Sequence, residues 1–168
     1  MNNEAFFHAV RFVVLVLAQA LIFNHINFLG YINPYPYILF MALLPFSISK
    51  TSVLVLSFFL GLAVDVFSDG GGVNTIACLI TGYVRPLYLK AAFGIGIEYN
   101  TVKLQEVSFD KKIIYLILLI LTHHFILFSL EIFSFTHMGT ILRKMFYSGV
   151  FTLVVSILFI SIFNRKRS

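Results

Sequence analysis

The sequence predicts an all-α integral membrane protein, a single domain over 1–168 built as a bundle of six transmembrane helices, and three observations carry that prediction. Of the 168 residues, 60% are hydrophobic and only 11% are Asp, Glu, Lys or Arg. A water-soluble domain of this size has no interior large enough for so much apolar surface, so lipid must be its solvent. The apolar residues come in runs separated by turn signals, and the length holds about six such runs of roughly 20 residues with no room for a separate soluble module. Nine of the twelve Lys and Arg fall in segments on one side of the alternating layout. That asymmetry orients a membrane chain; it is not a surface for nucleic acid.

The first span is read over 12–29, an apolar run that turns polar at Asn24, His25 and Asn27 before Gly30 and Asn33-Pro34 close it. Ala18-Gln19-Ala20 looks like a signal-cleavage site, but the run resumes at Leu21-Ile22-Phe23, so this helix is expected to be retained. The second run, 34–48, gives only about 22 Å as a helix against a hydrocarbon core of about 30 Å. It must pack inside the bundle, tilt little or be partly re-entrant. Pro34 suits a first helical turn, where a missing N–H costs nothing, whereas Pro45 near the far end breaks or kinks a helix.

The third span, 51–67, and the fourth, 73–89, are joined by Asp69-Gly70-Gly71-Gly72, a turn in which Gly72 and its neighbours permit positive φ. The fifth is 113–133 and the sixth 141–163, followed by Arg165-Lys166-Arg167; the one long polar connection is 91–112. The charge count places both termini in the cytoplasm. Arg11, Lys50, Lys90, Lys103, Lys111, Lys112 and the C-terminal triplet lie inside, against Arg143 and Lys144 outside. With no tryptophan in the chain, tyrosines are expected to form the interfacial belt: Tyr31, Tyr35 and Tyr37 at an outer turn, Tyr83 and Tyr88 near an inner end.

Asp65, Asp69 and Arg85 stand in or beside apolar runs, where an ionised group costs several kcal/mol unless it is paired, hydrated or facing protein. Gly61 and Asp65 share a helix face at i, i+4, so a neighbouring backbone can approach closely beside the acid. Two readings of Asp65 stand: a proton or ion site, and a hydrogen bond to a neighbouring helix. Arg143 and Lys144 are its expected charged neighbours; Arg85 lies too deep along the fourth span. Glu131 falls in the same outer layer, as part of a salt-bridged lid or as one of a set of interfacial charges. His123 and His124, about 100° apart on one helix, cannot both face one metal, and a buried histidine bonded to nearby protein is the better account. The lone Cys78 allows no intrachain disulfide. The expectation is therefore no catalytic residues, no metal and no cofactor.

Asn33-Pro34, Leu43-Leu44-Pro45-Phe46, Gly61-Leu62 with Asp65, Phe67-Ser68-Asp69 with Gly72, and Arg85-Pro86 occur in an order and spacing that resembles the MreD family of rod-shape-determining membrane proteins. Asn74 departs from the pattern, in which histidine is usual. The resemblance implies a non-enzymatic scaffold of the cell-elongation machinery in the cell inner membrane, where it would help organise peptidoglycan synthesis. Its partners would be MreC, MreB, RodA and a penicillin-binding transpeptidase. The resemblance also implies a fold similar to the substrate-binding S-components of ECF transporters. Pro34, Pro45, Gly61, Asp65, Gly72, Arg85 and Pro86 are then structural or interaction residues. The alternative is a small-molecule-binding transporter subunit, with Asn24, His25, Asn27, Asp65 and Glu131 lining an outward cavity.

Overall fold

A computed structural model describes residues 2–28, 30, 32–94, 104 and 107–165. The chain is all helix in its regular structure: α1 (Asn2–Leu21), α2 (Leu39–Leu43), α3 (Lys50–Ser68), α4 (Val73–Phe93), α5 (Phe109–Ile132) and α6 (Met138–Arg165), with 3₁₀ turns at Phe23–His25, Pro36–Ile38 and Phe135–His137. Five helices, all but α2, are long and apolar enough to cross a membrane. This is a multi-pass membrane protein.

Helix α1 ends well before residue 29. Asn24 and His25 fall in a 3₁₀ turn, and Asn27 takes a left-handed φ of 40°. Asn33 then clasps Asn27 by accepting its N–H on Oδ1 (2.7 Å) and donating from Nδ2 to its Oδ1 (3.0 Å). The polar residues that looked like the end of a span instead make a closed loop. Tyr31, Lys103, Lys166 and Arg167, used in the sequence reading, lie outside the described residues.

The run over 34–48 solves its length problem by being only partly helical. Pro36–Ile38 and α2 form just over two turns, Leu44 (ψ 144°) leaves the helix, and the chain then turns over 45–48, where the Ile48 N–H meets the Pro45 carbonyl at 3.4 Å. Contacts trace its path along α4: Tyr37 bonds Asn74, Leu44 bonds Arg85, and the ring of Phe46 lies 5.1 Å from that of Phe93. Asn74 to Phe93 is about 28 Å of helical rise. Tyr37 to Leu44 are at most 6% exposed, so this irregular backbone is enclosed by protein. Non-helical backbone at membrane depth is tolerated only in such surroundings.

Around it, α3 packs on α4, α4 on α5 and α5 on α6, while α1 closes on α3 and on the buried segment. The outward faces carry Val66, Tyr83, Leu87 and Ile162, all well exposed, as a lipid-facing surface requires.

Candidate functional site

The polar centre of the bundle forms where α3 turns into α4. Ser68 ends α3, Asp69 adopts the left-handed conformation (φ 50°), and Gly72 (φ 92°) becomes the N-cap of α4. A helix start leaves its first N–H groups without intrahelical partners, and an N-cap side chain ordinarily accepts from the second and third helical residues. Gly72 has no side chain to do this. Asp65 does it from across the interface: Oδ1 accepts from the Asn74 N–H (3.1 Å) and Asn74 Nδ2 (2.9 Å), Oδ2 from the Thr75 N–H (2.8 Å) and Thr75 Oγ1 (2.5 Å). The carboxylate also meets the positive end of the helix dipole. The glycine four residues earlier makes this possible, since a Cβ on Gly61 would overlap Thr75 Cα and stand 2.7 Å from the Asn74 carbonyl oxygen.

The carboxylate fixes the direction of a longer chain of bonds. A carboxylate only accepts, so the amide of Asn74 presents Nδ2 to Asp65 and Oδ1 to Tyr37, whose hydroxyl donates at 2.9 Å. That uses the one proton of Tyr37, so at 2.8 Å His123 Nε2 must be the donor to the tyrosine oxygen. Nδ1 of His123 is left buried with no hydrogen-bond partner among the described residues. His124 bonds Ile120 O through Nδ1 (2.8 Å) and Thr152 Oγ1 through Nε2 (3.1 Å), and Thr152 Oγ1 also accepts the Tyr35 N–H (2.9 Å). The two histidines thus tie α5 to separate elements, as their angular separation implied. Tyr37, assigned from sequence to the interfacial belt, lies instead at 0% exposure in the core. Its hydroxyl has partners there, so depth costs it little.

Arg85, deeper along α4, is 1% exposed. Its Nε donates to Tyr115 Oη (2.9 Å) and its Nη2 to the carbonyls of Leu44 (2.6 Å) and Pro45 (3.3 Å). Where α2 gives way to the 45–48 turn, the Leu44 carbonyl has no helical partner and Arg85 supplies its donor; the Pro45 carbonyl takes both Arg85 and the Ile48 N–H (3.4 Å). Pro45 itself has no N–H to satisfy, and Pro86 sits within α4. Pro34 gives its carbonyl to Gln19 Nε2 (3.3 Å).

Arg143 and Lys144, expected beside Asp65, are not its partners. Lys144 pairs with Glu131 (3.5 Å) and lies 5.2 Å above the ring of Phe128, while Arg143 is exposed. The Glu131–Lys144 pair borders a polar cavity of about 600 Å³, lined among others by Asn24, His25, Asn33, Asp69 and Asn74. Asp65 and Asn27, expected in such a lining, are not among those residues. What the sequence missed are Tyr37, Thr75, Tyr115 and Thr152. Their only signal was a polar atom inside an apolar run.

No protein-family model, curated protein or solved structure matches the chain.

Proposed function

We propose that the protein is a non-enzymatic scaffold of the cell-elongation machinery, an inner-membrane relative of MreD that works with MreC, MreB, RodA and a penicillin-binding transpeptidase. The observation that carries this reading is how the residues behind the resemblance are used. Gly61, Asp65 and Gly72 fasten the start of α4 to α3, and Arg85 fastens α4 to the Leu44 and Pro45 carbonyls. Each is spent on holding the bundle in one shape, which is what a docking platform needs. In this reading the enclosed 34–48 run counts as the second of six crossings, both termini are cytoplasmic, and the bundle is similar to an ECF S-component.

A second reading, a small-molecule-binding subunit of a transporter, is favoured by the cavity of about 600 Å³ with Asn24, His25 and Glu131 in its wall. The two are separated by complementing a strain depleted of its own MreD, with variants at matched protein levels and pull-down of MreC alongside. For a scaffold, Glu131→Gln and Asn24→Ala restore rod shape as wild type does and MreC is retained. Loss of rescue by these cavity variants with MreC still bound would refute the scaffold and favour ligand binding.

A further inference from the structure

A second cavity, of about 370 Å³, opens between α3, α4 and the turn after α2. Phe46, Leu54 and Leu89 form its apolar wall, and Lys50 and Arg85 its basic side. It lies toward the basic end of the bundle, where Lys50 opens α3, Lys90 closes α4 and Lys111 and Lys112 open α5. Tyr83 and Leu87, on the flank of α4 beside it, are 75% and 63% exposed. The cavity therefore adjoins lipid and not only water.

The charge of Arg85 is not balanced within the described residues. Its guanidinium touches three neutral oxygens, those of Tyr115, Leu44 and Pro45, and no carboxylate. A cation at this depth is costly unless an anion or water reaches it. Lys50 sits in the first turn of α3, where the helix dipole disfavours a positive charge, so its position does nothing for the helix. Two cations facing an apolar-walled cavity that adjoins lipid match one kind of molecule: an anion attached to a hydrocarbon chain. With Nε and Nη2 of Arg85 committed to Tyr115, Leu44 and Pro45, the guanidinium acts on a phosphate through its charge and its remaining edge, and the Lys50 ammonium adds a point charge. Basic pockets between membrane helices take anionic lipid headgroups on these terms.

We propose that this cavity binds the phosphate headgroup of an anionic phospholipid, held by Arg85 and Lys50, with an acyl chain against Phe46, Leu54 and Leu89. The bound phosphate would balance the charge of Arg85.

The test uses the full chain purified in a neutral detergent, with lipid binding followed by native mass spectrometry and thermal unfolding. Phosphatidylglycerol is expected to bind and to raise the unfolding temperature more than phosphatidylcholine of the same chain length. Lys50→Gln, at an exposed position, should weaken phosphatidylglycerol about fivefold, the worth of one basic residue near an anionic headgroup. Leu54→Trp should block the cavity and abolish the preference between the two lipids. Arg85→Gln should lose binding as well; if it does not fold, the other two variants decide. Equal binding of both lipids, or wild-type phosphatidylglycerol affinity in Lys50→Gln and Leu54→Trp, would overturn the proposal. A shift from inorganic phosphate as large as that from the lipid would overturn the assignment to a lipid.

Discussion

Gly61→Ala adds one methyl group where the backbone of α4 lies directly against α3. The new Cβ would lie 2.7 Å from both Asn74 O and Thr75 N and would overlap Thr75 Cα, whereas ordinary contact begins near 3.4 Å. These are backbone atoms, so no rotamer change relieves the overlap, and the first turn of α4 must retreat by about 0.7 Å or more, the difference between those distances. The same displacement stretches the Asp65 bonds to the Asn74 and Thr75 N–H groups from 3.1 and 2.8 Å to beyond hydrogen-bonding range. Bonds to a charged group are worth about 1.5–3 kcal/mol each, and overpacking alone costs about 1–3 kcal/mol. Partial relaxation recovers some of this, leaving a loss of about 3 kcal/mol. For a chain of this length that is a fall of about 6–12 °C in unfolding temperature. Thermal unfolding in detergent measures it against two controls: Gly139→Ala, where a Cβ meets nothing within 4 Å, and Gly82→Ala, whose nearest neighbour is the side chain of Ser57. Gly139→Ala should be neutral and Gly82→Ala intermediate. If Gly61→Ala unfolds within a degree of wild type, the close approach does not set the position of α4.

Asp65→Leu leaves four donors without an acceptor and should cost about 3–5 kcal/mol. Asp65→Asn should cost about 1.5–3 kcal/mol, because its amide must face a donor while the Thr75 N–H cannot turn to accept; both are read by chemical or thermal unfolding, and a neutral Asn variant would contradict the four-bond cap. Tyr115→Phe should destabilise by about 1.5–3 kcal/mol and Arg85→Leu by more, since the latter strands the Leu44 carbonyl and takes a donor from that of Pro45. Equal, small losses would mean that water satisfies these groups. In a Cys78→Ala background, an impermeant maleimide applied to intact cells should label Thr136→Cys and not Lys111→Cys; the opposite pattern would reverse the orientation.

Legibility followed the kind of signal each feature leaves. Membrane character was plain because hydropathy sums over whole segments. The Gly61–Asp65 pair was visible because an i, i+4 spacing needs no knowledge of the partner. Its partners were not, because they include backbone N–H groups, which every residue but proline carries, and they become acceptor-seeking only once Gly72 is known to be the cap. Arg85 was recognisable as internal for its charge, yet its acceptors are carbonyls at positions 44 and 45, equally anonymous in sequence. Tyr37 went wrong because a tyrosine near a helix end usually marks an interface; only the distant Asn74 and His123 make the interior its better place. The short second run was read as a span too short for the hydrocarbon core as a plain helix, and Pro45 marked the break: α2 ends at Leu43 and Leu44, the residue before the proline, is extended.

The enclosed 34–48 segment also constrains how the molecule is made. It emerges second from the ribosome, but Leu44 and Pro45 wait for Arg85 some forty residues later, Tyr37 for His123, and the Tyr35 N–H for Thr152. Until those residues arrive the Leu44 carbonyl and the Tyr35 N–H lack the partners that satisfy them in the finished bundle, so lipid is a hostile place for them. Synthesised early, this segment can be completed only when α6 is in place, and a nascent chain stalled before Thr152 should hold it open to proteases.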